Sequence, residues 1–181
     1  MGRKRKKAAA FLTALALAAS LLPAALAADS PQGLDLCAGG DRSGEGWSWD
    51  SGAKVLTLDG AALDAGEGDA LCLPDGSTIR VERDSTVSST AGYDPETDTE
   101  TPKAILGEGA LTITGPGTLT VTNAAGFGLF CWDDLVIDGG RVTVQSEMFT
   151  AVLTAGDLTI RGGSVVNARG GGGPDGGPSG V

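Results

Sequence analysis

The sequence predicts an all-β chain: a short parallel β-helix solenoid of about five rungs, with an N-terminal hairpin cap. Three observations predict it. One short pattern is written three times within residues 104–168, as AILGEGALTITGPGTLTVTN, GLFCWDDLVIDGGRVTVQS and AVLTAGDLTIRGGSVVNA. The copies keep a fixed step: Leu111, Leu135 and Leu158 fall in register, as do Ile113, Ile137 and Ile160, at intervals of 24 and 23 residues. Gly115, Gly139 and Gly162 follow, then Leu119, Val142 and Val165. A period of this size marks a solenoid whose repeats each bury a face against the next. Within each copy apolar and polar residues alternate around a glycine turn, the two-residue period of a half-buried strand.

In chain order, residues 1–27 read as a signal peptide. Arg3, Lys4, Arg5, Lys6 and Lys7 form a basic start, an apolar run follows, and Ala25-Leu26-Ala27 is a small-x-small cleavage site. The alternative is an N-terminal membrane anchor. Export implies a secreted or cell-surface protein. Loss of the five leader cations leaves 23 acidic and 8 basic residues, changing the net charge from −10 to −15. Such a chain is a poor partner for nucleic acid or an anionic membrane.

Residues 28–53 read as an N-terminal cap and hairpin. The stretch up to Gly46 is polar and without periodicity, while Trp47 and Trp49 share one side of a strand. They either cover the open end of the solenoid or form a sugar-stacking pair. Residues 54–168 are the parallel β-helix. Leu56, Leu58 and Leu63 are placed on the columns of Leu158, Ile160 and Val165, and Val81 and Val87 on those of Ile113 and Leu119. Rungs roughly 4.8 Å apart give a stack roughly 24 Å tall. An insertion at residues 91–102, carrying Asp94, Glu96, Asp98 and Glu100, is too polar for the core and projects from a corner. Residues 169–181 form a Gly-rich tail, with a single GGxGxD match and no apolar column to continue the stack.

Cys37, Cys72 and Cys131 are an odd set for an exported chain. Cys72 aligns with Leu106, Phe130 and Leu153, and Cys131 falls one position later and two rungs away. That distance, roughly 9.6 Å, is too far for a disulfide between them, and both read as rung residues. Cys37 reaches Cys72 only if the N-terminal segment folds back over the first rungs.

GWSWDSGAKVLTLDG followed by LTI-GxG-TLTV rungs resembles secreted β-helix proteins of anaerobic bacteria described as carbohydrate-binding-domain proteins. The coils resemble a right-handed parallel β-helix of the pectate-lyase-like kind. This resemblance covers residues 46–168 and implies a carbohydrate partner, a polysaccharide or surface glycan. Asp133-Asp134 superficially resembles the paired aspartates of polygalacturonases. That family's histidine motif has no counterpart in a chain without histidine, and the Lys/Arg cluster of pectate lyases is missing too. The chain is therefore read as a non-catalytic module and not an enzyme, with a remnant polysaccharide lyase or hydrolase as an alternative.

One corner gathers the candidate site. In register, Glu108, Trp132 and Ala155 share a column; Gly109, Asp133 and Gly156 the next; Ala110, Asp134 and Asp157 the third. Trp132, Asp133 and Asp134 are the carbohydrate-binding candidates: a ring to stack on a sugar, with carboxylates to accept its hydroxyls. Glu108, Asp133, Asp134 and Asp157 are the metal candidates, because stacked carboxylates repel unless hydrated, protonated or bridged by a cation, and oxygen-only ligands suit calcium. A solvated acidic corner is the other reading. Asp138 and Arg161 are placed as a surface ion pair. Nothing visible after Ala168 covers Leu158, Ile160 and Val165, so the last rung is expected to self-associate. A structural or adhesive surface protein is the rival function.

Overall fold

The computed structural model describes residues 32–90 and 101–171. The expected leader, most of the acidic insertion and most of the Gly-rich tail lie outside the described residues. Every regular element among the described residues is a strand, and no helix there is long and apolar enough to cross a membrane.

The chain opens with β1 (Gln32–Asp35), then β2 (Arg42–Gly44) and β3 (Trp47–Asp50). Four complete turns of three strands follow. They are β4 (Val55–Asp59), β5 (Ala62–Ala65) and β6 (Glu67–Leu73); β7 (Ser77–Arg83), β8 (Ser85–Ser89) and β9 (Lys103–Gly107); β10 (Leu111–Thr114), β11 (Thr118–Asn123) and β12 (Phe127–Cys131); and β13 (Leu135–Asp138), β14 (Arg141–Ser146) and β15 (Val152–Thr154). β16 (Leu158–Arg161) and β17 (Val165–Arg169) begin a fifth layer. Like strands of successive turns pair in parallel, giving three sheets with the orders β1-β6-β9-β12-β15, β16-β13-β10-β7-β4-β3-β2 and β17-β14-β11-β8-β5. The protein is a β-solenoid, as the repeat predicts, of four complete turns with a partial layer at each end.

Its core is a set of vertical columns. Leu56, Ile79, Ile113, Ile137 and Ile160 stack in one, and Ser77, Leu111, Leu135 and Leu158 in another. The middle layers of both are fully buried. Each such side chain contributes about 1.5–3 kcal/mol on leaving water. Gly115, Gly139 and Gly162 turn the corner between the second and third sheets, all at positive φ. A Cβ on Gly115 would lie 2.3 Å from the Val81 carbonyl oxygen of the layer below, so the corner excludes any side chain.

Three expectations are corrected. Ile79 and not Val81 pairs with Ile113, and Val87 pairs with Val121, so this layer is displaced by two residues from the expected alignment. The first layer shares the displacement: Leu56, expected in the Leu158 column, joins that of Ile160, Leu58 pairs with Val81, and Leu63 joins Val87 and Val121. A two-residue slip leaves every side chain on its expected face, which is why periodicity alone did not detect it. Val165 does not join Leu119 and Val142. Its partner is the exposed Arg141, and Val166 pairs with Val142. The Gly162-Gly163-Ser164 corner is one residue longer than that before Val142, and one residue reverses the face. Finally, the aperiodic stretch before Gly46 contains two strands. β1 pairs in parallel with β6 and buries Leu34 and Leu36; β2 pairs antiparallel with β3.

The hairpin cap forms as expected. β3 lies antiparallel to β4 with Trp49 opposite Leu56 and Trp47 opposite Leu58. Trp49 is buried in the core and Trp47 packs against it, so the pair closes the end of the stack and is not a sugar platform. The Trp49 indole Nε1 finds no acceptor among the described residues, a donor lost from water without recompense. Trp49→Ala is expected to lower stability by about 3–5 kcal/mol in chemical denaturation. Trp49→Phe should lower it by clearly less, because it keeps most of the ring and removes the unpartnered donor.

Candidate carbohydrate-binding face

The site is best built outward from β12. Leu129 and Cys131 point into the core and are completely buried. Strand alternation therefore turns Phe130 outward, and Trp132, just past the strand, continues on the same side. Trp132 is 57% exposed, the most exposed large apolar side chain described. Its backbone N–H donates to the Gly107 carbonyl at 3.0 Å, which anchors the corner while leaving the indole outside. Phe130 meets it edge to face at 4.7 Å between ring centroids. Phe127 lies 5.6 Å from Phe130, and Phe149 lies 5.4 Å from Phe127. The four rings form a continuous aromatic strip running across the stack. Leu106 and Leu153 flank Phe130 in the layers on either side.

Sequence reading singled out Trp132 and missed the other three rings. The signal was present for Phe130 alone: if Leu129 and Cys131 are core residues, Phe130 must share the outer face with Trp132. Cys72, Leu106, Phe130 and Leu153 do share one column, as expected. That column faces outward, whereas Cys131 faces the core. Both cysteines are rung residues, as expected, on opposite faces of their sheet.

The acidic corner also assembles in the expected register, judged by the strand ends that flank it. The Leu111 N–H donates to the Asp134 carbonyl and the Leu135 N–H to that of Asp157, each at 2.9 Å. Glu108, Asp133, Asp134 and Asp157 are all exposed. The Asp134 carboxylate is engaged, with Oδ1 accepting the Asp157 N–H at 2.8 Å. The same device recurs elsewhere in the stack: Asp75 Oδ1 accepts the Ala110 N–H, Asp84 Oδ1 that of Thr118 and Asp69 Oδ1 that of Lys103, at 2.7–2.8 Å. These aspartates tie one layer to the next.

The ligand atoms of Glu108, Asp133, Asp134 and Asp157 do not close into a metal-sized cluster. Among the described residues, the three side chains that do converge are Asp35, Cys37 and Cys72, within 4.8 Å of one another. Sharing a corner is thus all the support that the arrangement gives to calcium. Asp138 and Arg161 form the expected ion pair, at 3.0 Å on the surface, with little energetic weight.

A second feature escaped sequence reading. Ser89, Asn123 and Ser146 stack in one buried column at the corner after the third sheet. Asn123 Oδ1 accepts the N–H groups of Ala125 and Gly126, and its Nδ2 donates to the Phe127 and Pro102 carbonyls. Every polar atom is used within the corner, so this ladder holds the turn that aims β12. A hollow of about 170 Å³ lies beside it, lined by Thr90, Thr122, Gln145 and Glu147 among others.

The stacked parallel strands, the Gly corners and the tryptophan hairpin coincide with a match to a family described as carbohydrate-binding domain-containing protein, over residues 48–175. The chain belongs to this family. The match begins inside the hairpin cap and runs through the last described strand, so the aromatic strip on β12 lies well within it. No curated protein matches the chain. No solved structure matches it either.

Removing the Asp134 carboxylate tests its structural part. Asp134→Ala is expected to cost about 1 kcal/mol in urea denaturation, the worth of one hydrogen bond to a backbone amide. Asp133→Ala, whose contribution to the layer contacts comes from its backbone carbonyl, should fall within about 0.5 kcal/mol of the parent.

Proposed function

We propose that this protein is a secreted, non-catalytic module that binds a polysaccharide chain across the outer face of β12. The observation that carries the reading is the strip Phe149, Phe127, Phe130 and Trp132, open to solvent at Trp132. The exposed Trp132 ring and the half-buried phenyl rings beside it offer apolar surface to the C–H faces of successive sugars. Glu108 and Asp133 beside Trp132 supply acceptors for hydroxyl groups. The net charge of −10, or −15 without the leader, and the acidic corner itself favour an uncharged glycan over an anionic one. Membership of the carbohydrate-binding family supports the partner class. Secretion rests on the leader sequence, and the non-catalytic role on the absence of histidine and of a recognisable catalytic set.

Trp132→Ala is expected to weaken retention on a bound polysaccharide about tenfold, equivalent to ~1.4 kcal/mol, without changing the circular dichroism of the strands. Equal retention of variant and parent would remove Trp132 from the site. Binding measured with and without calcium at millimolar concentration tests the proposed role of Glu108, Asp133, Asp134 and Asp157. Identical affinity and no calorimetric heat would eliminate calcium.

A structural or adhesive role is the second reading, and the far end of the stack favours it. Ile160 heads the column of Ile137 and is 48% exposed, and Leu158, Val166 and Ala168 are partly uncovered beside it. We propose that this layer self-associates with a second copy of the chain. Light scattering should report an oligomer that Ile160→Asp returns to a monomer. Val165→Asp, on the outer face, should have little effect. A monodisperse wild-type monomer at high concentration would end this proposal.

A further inference from the structure

We propose that Cys37 and Cys72 are joined by a disulfide bond that fastens β1 to the first complete turn. β1 is the end strand of its sheet and has β6 as its sole neighbour there. With Leu34 and Leu36 turned into the core, Asp35 and Cys37 face outward, on the same side as Cys72. Asp35 pairs with Cys72 in the ladder, and the Leu36 N–H donates to the Cys72 carbonyl at 3.0 Å. Cys37 then crosses to its neighbour, leaving the two Sγ atoms 3.1 Å apart. The turn that carries it is held by Asp35, whose Oδ1 accepts the Cys37 N–H at 2.8 Å and whose carbonyl accepts Arg42 Nη1 at 2.7 Å. Cys131 does not compete. It is buried in the core and donates its thiol to the Gly109 carbonyl at 2.9 Å.

The surroundings favour a neutral sulfur pair over two thiolates. Burial pushes the Cys72 thiol far above its ordinary range, and Cys37 and the carboxylates of Asp35 and Glu108 push the same way. Burial raises Cys37 too, as do Asp35 and Glu108, against a lowering by the hydrogen bond with Cys72. A metal ion held by Asp35, Cys37 and Cys72 needs deprotonated thiols, whereas a disulfide has no charge to bury. Asp35 is also already occupied with the Cys37 N–H. The oxidant is a disulfide, carried by a thiol oxidoreductase or a small thiol. One cysteine attacks it as the thiolate and forms a mixed disulfide, expelling the first thiolate of the oxidant. The other cysteine then displaces the second. Two S–H bonds are lost, one S–S bond forms, and the oxidant leaves as two thiols with the two electrons and two protons. The bond closes a loop that contains β2, β3, β4 and β5, so it restrains the whole cap in the unfolded chain.

The test uses the full chain, equilibrated with glutathione disulfide, denatured and alkylated. The expected result is one alkylated thiol, Cys131, rising to three after reduction, with a Cys37–Cys72 crosslinked fragment two hydrogens lighter than its reduced form. Reductant should lower the melting temperature of the wild type and not that of Cys37→Ser. Three alkylated thiols without reductant would overturn the proposal. So would thiol protection that a chelator alone abolishes, which would identify a metal site instead.

Discussion

Every backbone group in the stacked strands depends on the layer above or below for its hydrogen bond, because no strand pairs with its own sequence neighbours except in the cap. This single constraint orders the rest. Parallel pairing with a fixed step forces like residues onto like residues, which is why isoleucine sits on isoleucine from Ile79 to Ile160. It forces the corners into register too, so that the glycine columns and the aspartate-to-amide contacts recur as ladders. The two ends break the constraint differently. At the start, β3 reverses direction and lays Trp47 and Trp49 over the first layer. At the other end the Ile160 column stops in the open among the described residues.

The fold was legible in the sequence because a solenoid writes its contacts as a period. The columns of Leu111 and Ile113 were recoverable by aligning copies. What escaped were shifts of one or two residues at corners. Val165 and Val166 are both β-branched and apolar, so composition gives no hint which one faces the core. Only the length of the preceding glycine turn decides it, and the hydrogen bonds of that turn set the length. β1 escaped for another reason. QGLDL is too short to show periodicity, and its partner in β6 is remote in sequence.

The candidate site was half legible. Trp132 stood out as an aromatic residue among acids at a turn, and the register of the acidic corner was readable from the copies. The aromatic strip was not, because alternation from Leu129 and Cys131 reveals Phe130 alone: Phe127 has their parity along β12, and Phe149 lies between β14 and β15. The carboxylates carry a structural role that their clustering alone did not show. Their clustering suggests a ligand, and Asp134 is in addition one member of a set that holds the backbone of the adjacent layer, as Asp75, Asp84 and Asp69 do.

The repeat step has a consequence for how such a chain can change over generations. Leu111, Leu135 and Leu158 lie 24 and 23 residues apart, one full circuit of the three sheets. Duplication or deletion of one circuit in the gene would leave every column in phase and merely lengthen or shorten the stack. A single inserted codon within a strand would invert the side chains beyond it, unless a glycine corner absorbed the residue. The corner after Arg161 tolerates such a difference already. Length is therefore the freely heritable variable of this architecture, and binding surface can be added one layer at a time.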